Sequence, residues 1–424
     1  MRPRLYELTV ALAAVVLPGC GSDLSVARSS VPREMSPQVS EAERRELVGG
    51  NTEFALGLLR SVRAPVPTQN VFLSPYSVSQ ALAMTYAGAR ANTASEMARA
   101  LRFSLPPERF HAAFDWLDLQ LTGRAQTAAA PSIRLRSANA LFGHKATVFQ
   151  RPFLDLLQAS YGAGVNQVDF NGDPEGSRGA INKWVSDQTE GKIKDLLPSG
   201  SVTRDTRIVL SNAIYFKADW RDKFLSPLTR SQTFLRLDGS AVSVEMMQRD
   251  STHPYVEAGD FQAIDLAYAG GELAMLVLLP RVGSFQTFEE SLTEQRLVEI
   301  VAALRTTFVR IELPKFRYEP AGFSLKEALR TLGVRAAFDP QNADFSGMAE
   351  AERLSLSDAV HKGFISVDEN GTEAAAATGI FGVAVSGFSA PTFVMRVDRP
   401  FLLAIRDVPT GALLFLGRIV EPRG

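Results

Sequence analysis

The stretch Val367-Asp-Glu-Asn-Gly-Thr-Glu-Ala-Ala-Ala-Ala-Thr-Gly379 decides how this chain is read, because it has the marks of a loop and of a buried strand at once. Gly371 supplies a hinge with permissive backbone dihedrals. Beyond it, Thr372, Ala374, Ala376, Thr378 and Ile380 share one face of any extended conformation, because side chains alternate along a strand. That face is small and uncharged and turns apolar at Ile380. Glu373, the one charge after the hinge, falls on the opposite face. No proline interrupts the run, so every backbone N–H can join a sheet ladder. A loop that stays in water is normally richer in Pro, Asn, Asp and charge.

The residues Glu369-Asn-Gly371-Thr372-Glu-Ala374-Ala375-Ala376-Ala377-Thr378 resemble the hinge of the reactive-centre loop of the serpins. Other segments resemble serpin core motifs: Asn70-Val-Phe-Leu-Ser74-Pro75-Tyr-Ser77, Leu210-Ser-Asn212-Ala-Ile-Tyr-Phe-Lys-Ala-Asp-Trp220 and Ala359-Val-His361-Lys-Gly-Phe364. So do Phe338-Asp-Pro340 with Ala343-Asp-Phe-Ser-Gly347, Arg399-Pro-Phe401, and Leu414-Phe-Leu-Gly-Arg-Ile-Val-Glu-Pro422. These come in family order from about residue 41 to the end, and several separated matches in register are far more specific than one motif.

The resemblance implies an α+β serpin fold: three β-sheets with surrounding helices in one domain over 41–424, and an exposed reactive-centre loop at about 369–395. It implies a suicide-substrate inhibitor of serine, or by thioester cysteine, proteases. The loop enters the protease active site and is cut, then inserts into the central sheet with the protease still attached. Ser74, Ser77, Asn212 and His361 match the polar cluster called the shutter beneath that sheet. Trp220 matches the tryptophan of the breach, where the loop first enters; on their own, His361 and Trp220 read equally as core residues. The family's usual count from Glu369 puts the scissile bond at Val385-Ser386, and a small aliphatic there suits an elastase-like protease. The stretch to Arg399 is longer than in many serpins, so Val383, Ala384 and Phe388 stay open, Phe388 favouring a chymotrypsin-like target. Residues 382–389 contain no Lys or Arg, which disfavours trypsin-like proteases. The alternative is a non-inhibitory serpin acting as a binding or carrier protein, but the charged, bulky or proline hinge of such relatives is missing here.

Composition adds bounds. The 424 residues are 46% hydrophobic, enough for a large core, and length alone would have suggested two or three domains. Forty-five basic and forty-six acidic residues give a net charge of −1, with no basic run interleaved with aromatics, so no nucleic-acid partner is expected. Some serpins carry a basic helix that binds heparin. Its counterpart here, Phe110-His-Ala-Ala-Phe-Asp-Trp-Leu-Asp118, has two aspartates and no lysine, so no heparin site is indicated. A monomer is expected.

At the N-terminus, Arg2 and Arg4 precede the apolar run Leu8-Thr-Val-Ala-Leu-Ala-Ala-Val-Val-Leu17, too short to span a bilayer but suited to a signal-peptide core. Leu17-Pro-Gly-Cys20 resembles the bacterial lipoprotein box, although Pro18 is an unusual occupant. This makes 1–19 a signal peptide and Cys20, the only cysteine, a lipidation site. Residues 20–40, with Ser29-Ser-Val-Pro32 and Ser36-Pro37, read as a flexible tether. The expected location is a bacterial membrane, on its periplasmic or outer face, with secretion as the alternative.

Helical spacing covers 43–62 and 177–189, the second entered through Asp173-Pro174. Strand patterns cover 208–216, 273–279, 308–314, 354–367, 393–397 and 413–420. Helices dominate early and strands late, which favours α+β. No Gly-x-Ser-x-Gly, His-Glu-x-x-His, Ser-x-x-Lys or Gly-rich phosphate loop occurs, and His111, His144, His253 and His361 show no metal-ligand spacing. No catalytic residue, metal or cofactor is expected.

Overall fold

The computed structural model describes residues 24–124, 133–372 and 390–423. Its axis is the strand Ile208–Asp219, whose residues are buried almost without a break. Such a run belongs to a strand covered on both faces. On one side it pairs antiparallel with Arg134–His144, which pairs parallel with Val165–Val168. Its other side is shared. Leu356–Gly363 runs parallel along residues 208–214, and Gly371–Thr372 lies antiparallel against Asp219 and Ala218. Ile365–Val367 and Phe316–Tyr318 complete this end. The expected single strand over 354–367 is therefore two, broken at Phe364, and each half has different neighbours.

The remaining strands form a second hydrogen-bonded network, so the described residues contain two nine-stranded sheets where the resemblance implied three. The cause is the 17-residue strand Ala241–Glu257. It pairs with Arg230–Leu235 and Arg305–Pro314, and near its end with Phe261–Ala267, fusing two sheets through one backbone.

Helix Pro75–Tyr86 runs beneath the central sheet, packed against Arg134–His144, Ile208–Asp219 and Leu413–Ile419. Small residues at Ser77, Ser79, Ala81 and Ala83 let it lie there fully buried. Its start is fixed by Ser74, whose Oγ accepts the Ser77 N–H at 3.2 Å, with Pro75 in the first turn. That cap places both serines under the sheet. Asp173 does the same for helix Pro174–Gln188, accepting the Gly176 N–H at 2.9 Å.

Residues 24–40 are not a free tether. Ser25–Ala27 adds a strand antiparallel to Val165–Val168, and Ser29 hydrogen-bonds Asp155. The Arg33 guanidinium grips Asp115 at 2.9 and 2.7 Å and Asp118 at 2.6 Å. Ser40 then closes a capping box with Glu43 at the start of helix Glu41–Arg63. A Ser- and Pro-rich composition describes an extended path equally well whether or not it is laid on a body. The difference lies in partners 80 or more residues away in the chain.

Candidate functional site

Two clusters lie along the shared edge of Ile208–Asp219. The first, at its C-terminal end, holds the hinge. The Asp368 carboxylate accepts the N–H groups of Asn370 at 2.8 Å and Gly371 at 3.3 Å, and the Asp368 N–H returns to the Gly371 carbonyl at 3.0 Å. This is a side-chain-closed turn of the kind aspartate favours. Gly371 works here by close approach and not by backbone freedom: a Cβ would stand 2.1 Å from the Ala218 carbonyl oxygen. It is absent from the glycines with positive φ, which corrects the reading of a permissive hinge.

Thr372 is buried, and its hydroxyl shares a 2.7 Å hydrogen bond with the Tyr268 hydroxyl. Tyr268 in turn stacks on Trp220, with ring centroids 4.7 Å apart and planes 7° from parallel. Trp220 grips the turn from both of its nitrogens: its indole N–H donates to the Asp368 carbonyl at 2.9 Å and its backbone N–H to the Asn370 carbonyl at 2.8 Å. Glu369 is tied to the Lys315 ammonium and the Thr229 hydroxyl, each at 2.9 Å. Burial pushes its carboxyl up, but these partners outweigh burial and hold it below the usual range.

The second cluster lies lower on the same strand. His361 stands opposite Asn212 in the sheet, and its Nδ1 bonds the Asn212 carboxamide oxygen. Its Nε2 accepts the Ser74 N–H at 3.2 Å, which fixes a neutral ring protonated at Nδ1. Burial drives the His361 pKa down to about 3, and a proton added at Nε2 would face a donor. Asn212 Nδ2 donates to the Ser77 hydroxyl and to the Asn139 carboxamide oxygen, both at 2.7 Å. Ser74 Oγ donates to the Leu414 carbonyl at 2.6 Å. From Asn139 the chain of bonds continues through Gln80 to Asp118, and so to Arg33.

The structure thus brings Ser74, Ser77, Asn212 and His361 into one cluster and Trp220, Glu369, Gly371 and Thr372 into the other. Ala374, Ala375, Ala376, Ala377 and Thr378, the candidate scissile residues Val383, Ala384, Val385, Ser386 and Phe388, and Cys20 lie outside the described residues. Sequence reading missed Tyr268, Lys315, Thr229, Asn139 and Gln80. Each is a single polar or aromatic residue whose partner is remote in the chain, and none sits in a local motif. Among the described residues, no group of three His, Cys, Asp or Glu side chains could hold a metal ion.

A shared strand edge with a docked hinge above a polar cluster defines a class of protein, and comparison with known proteins agrees. The family model described as Serpin (serine protease inhibitor) matches residues 49–422. The chain belongs to the serpin family. It is 38% identical to the leukocyte elastase inhibitor of Homo sapiens, across 89% of this chain and 100% of that one. Among solved structures it is similar to a thermophilic serpin, tengpin, in the native state. There the TM-score is 0.82 at 26% identity, covering 93% of this chain and 99% of that one. It is also similar to human thyroxine-binding globulin, with a TM-score of 0.80 at 30% identity, covering 90% and 100%.

Two outcomes follow from this geometry. Gly371→Ala should expel the hinge from its place against Ala218, uncovering the indole of Trp220; a red shift of Trp220 emission and faster amide exchange at Thr372 measure it. The second concerns pH. His111 and His253 are also buried, and burial lowers each to about 4. All three histidines are neutral in the fold, so stability is greatest above the unfolded pKa of about 6.5 and falls with pH toward the folded values. Each should cost about 2 kcal/mol by about pH 5. Denaturant titrations of His361→Asn should show a shallower loss between about pH 6.5 and 4 than the wild-type protein.

Proposed function

We propose that this serpin is a suicide-substrate inhibitor of elastase-like serine proteases, cut between Val385 and Ser386. The observation that carries the reading is the docking of Gly371–Thr372 on the edge of Ile208–Asp219, in the antiparallel sense and register of a strand that can continue. Continuing that register sets Ala374 opposite Phe216, Ala376 opposite Ile214 and Thr378 opposite Asn212. Residues directly opposite in an antiparallel pair share a face. Each small side chain therefore enters the apolar side, and the last polar one meets the polar cluster.

The chemistry begins on the target. The protease serine hydroxyl attacks the Val385 carbonyl carbon, the amide bond to Ser386 breaks, and the leaving nitrogen takes a proton. Val385 is then held as an ester on the protease. The freed segment zips into the sheet, and for this Leu356–Gly363 must leave residues 208–214, parting His361 from Asn212. Each new ladder hydrogen bond contributes about 0.5–1.5 kcal/mol, so a strand of this length supplies on the order of 10 kcal/mol before apolar burial is counted. This is the release of stored strain by loop insertion, a switch class in which serpins are already counted. The protease is dragged with the ester and distorted before water can free it. The similarity to leukocyte elastase inhibitor supports the preference for a small aliphatic at the cut.

Incubation with an elastase tests the reading: the expected product is a complex that survives SDS, with about one inhibitor consumed per protease. Thr372→Arg should leave cleavage intact but abolish trapping, because a guanidinium would have to enter the site where Thr372 lies 1% exposed against Tyr268. Burying an unpaired charge there costs several kcal/mol along the insertion route. Glu373→Arg, on the opposite face, should change the ratio little. Clean cleavage of the wild-type protein without a complex would favour a non-inhibitory binding or carrier serpin.

We further propose that Cys20 is lipidated and holds the domain at a bacterial membrane. Because Ser25 is already paired in the central sheet, only residues 21–24 would separate the lipid from that sheet edge. At full extension this is about 14 Å, a short leash in place of a long tether. Cys20→Ser should move the protein from the membrane fraction to the soluble one; a wild-type protein that is already soluble and lipid-free would sink the idea. Stable anchoring calls for more than one acyl chain, which mass spectrometry would show.

A further inference from the structure

Helices Glu41–Arg63, Ala91–Leu101 and Lys326–Leu332 line an open pocket of about 580 Å³ that includes no residue of the hinge or of the polar cluster. Phe54, Gly57 and Leu332 contribute to its lining. Around them stand Arg60, Arg99, Arg102 and Arg335, with only Glu53 and Glu96 to oppose them. On a chain whose net charge is −1, this concentrates positive charge in a hollow.

The two acids leave most of that charge unmatched. Glu96 is committed to the backbone: one oxygen accepts the N–H groups of Arg335 and Ala336 at 2.9 and 2.7 Å, and the other takes the Asn92 amide at 2.9 Å. Glu53 reaches Arg102 alone, at 3.2 Å. Arg60 and Arg99 donate only to the main-chain carbonyls of Leu292 and Ser95, at 3.2 and 3.3 Å. The Arg335 guanidinium has no partner among the described residues.

The backbone is arranged around this rim at some expense. Arg102 ends its helix with φ at +60°, the left-handed conformation in which glycine is the residue of least strain. Gly50 on the facing helix makes room for it, since a Cβ there would lie 2.6 Å from the Arg102 carbonyl oxygen. A side chain is kept where glycine would be easier, and removed where it would obstruct. Backbone strain of this kind is a reason to look for a function.

We propose that the pocket binds a compact multivalent phosphate, either a condensed phosphate or a small phosphate ester. Guanidinium forks take phosphate oxygens two at a time, and arginines without an ion pair forfeit none when they do so. Concave walls favour a small free anion over a flat array of lipid headgroups.

The test is calorimetric titration of the full-length protein with inorganic pyrophosphate. Arg99→Ala and Arg335→Ala should each weaken binding roughly tenfold, the loss of a charge-assisted hydrogen bond. Both residues are exposed and lack tertiary side-chain partners, so their variants should melt as the wild-type protein does. Glu53→Gln should tighten binding by freeing Arg102, a gain that a merely structural role would not give. Arg305→Ala is the charge control: Arg305 is exposed and bonded only to the carbonyls of Ala302 and Leu304, and its loss should leave the affinity unchanged. Absence of heat with pyrophosphate overturns the proposal, as does equal weakening in the Arg305 variant. Binding only to vesicles of phosphatidylglycerol and phosphatidylcholine, and not to pyrophosphate, overturns it too.

Discussion

One edge of one strand is wanted by two segments, and the rest of the molecule is arranged around that contest. Ile208–Asp219 gives residues 208–214 to Leu356–Gly363 and residues 218 and 219 to Gly371–Thr372. The hinge is held at the C-terminal end of this edge by a stacked Trp220–Tyr268 pair and by the ties of Glu369 to Lys315 and Thr229.

The polar cluster below follows from the same constraint. If Leu356–Gly363 is to leave Ile208–Asp219, what joins them must part without tearing a packed core. Truncating interlocked aliphatics costs about 2–5 kcal/mol each, whereas a satisfied hydrogen bond contributes only about 1 kcal/mol net and can be remade with a new partner. His361 and Asn212 are such a join. The wider network has a second consequence, because it runs without interruption through Asn139, Gln80 and Asp118 to Arg33. Residues 24–40 are thereby stitched both to the sheet edge and to the helices beneath the cluster.

Local physics made much of this legible in advance. Asp173 with Pro174 announces a helix start through a side chain that acts within three residues; the equally local caps at Ser40 and Ser74 went unread. The apolar run over 208–216 announces a strand, which the structure extends to Asp219. Even the small face beginning at Thr372 could be read, because alternation is a property of a single strand. What could not be read were partners. Tyr268 bonds Thr372 across 104 residues and Lys315 bonds Glu369 across 54, and nothing near either residue marks it as special. Gly371 shows a subtler failure: its type was read correctly and its reason wrongly, because the Ala218 carbonyl that excludes a side chain belongs to another strand. Residues 24–40 failed likewise, since composition reports the path of a segment and not what lies beneath it.

If the chain traps a protease as proposed above, the docked hinge also bears on speed. Starting a strand is the slow part, because loop closure must be met before any ladder bond repays it. Gly371 and Thr372 are already in register, so the proposed insertion would begin as propagation, each further residue adding a bond. The hold must still be of moderate strength. In that proposed cycle, a hinge anchored more deeply would draw the loop away from a protease that has to bind it extended, and one not anchored at all would have to find the strand edge after cleavage, while water competed for the ester. Thr372 meets both demands. It is small enough to be covered by Ala218 and Tyr268, and its hydroxyl makes one hydrogen bond, worth about 1 kcal/mol, which can be broken at little expense.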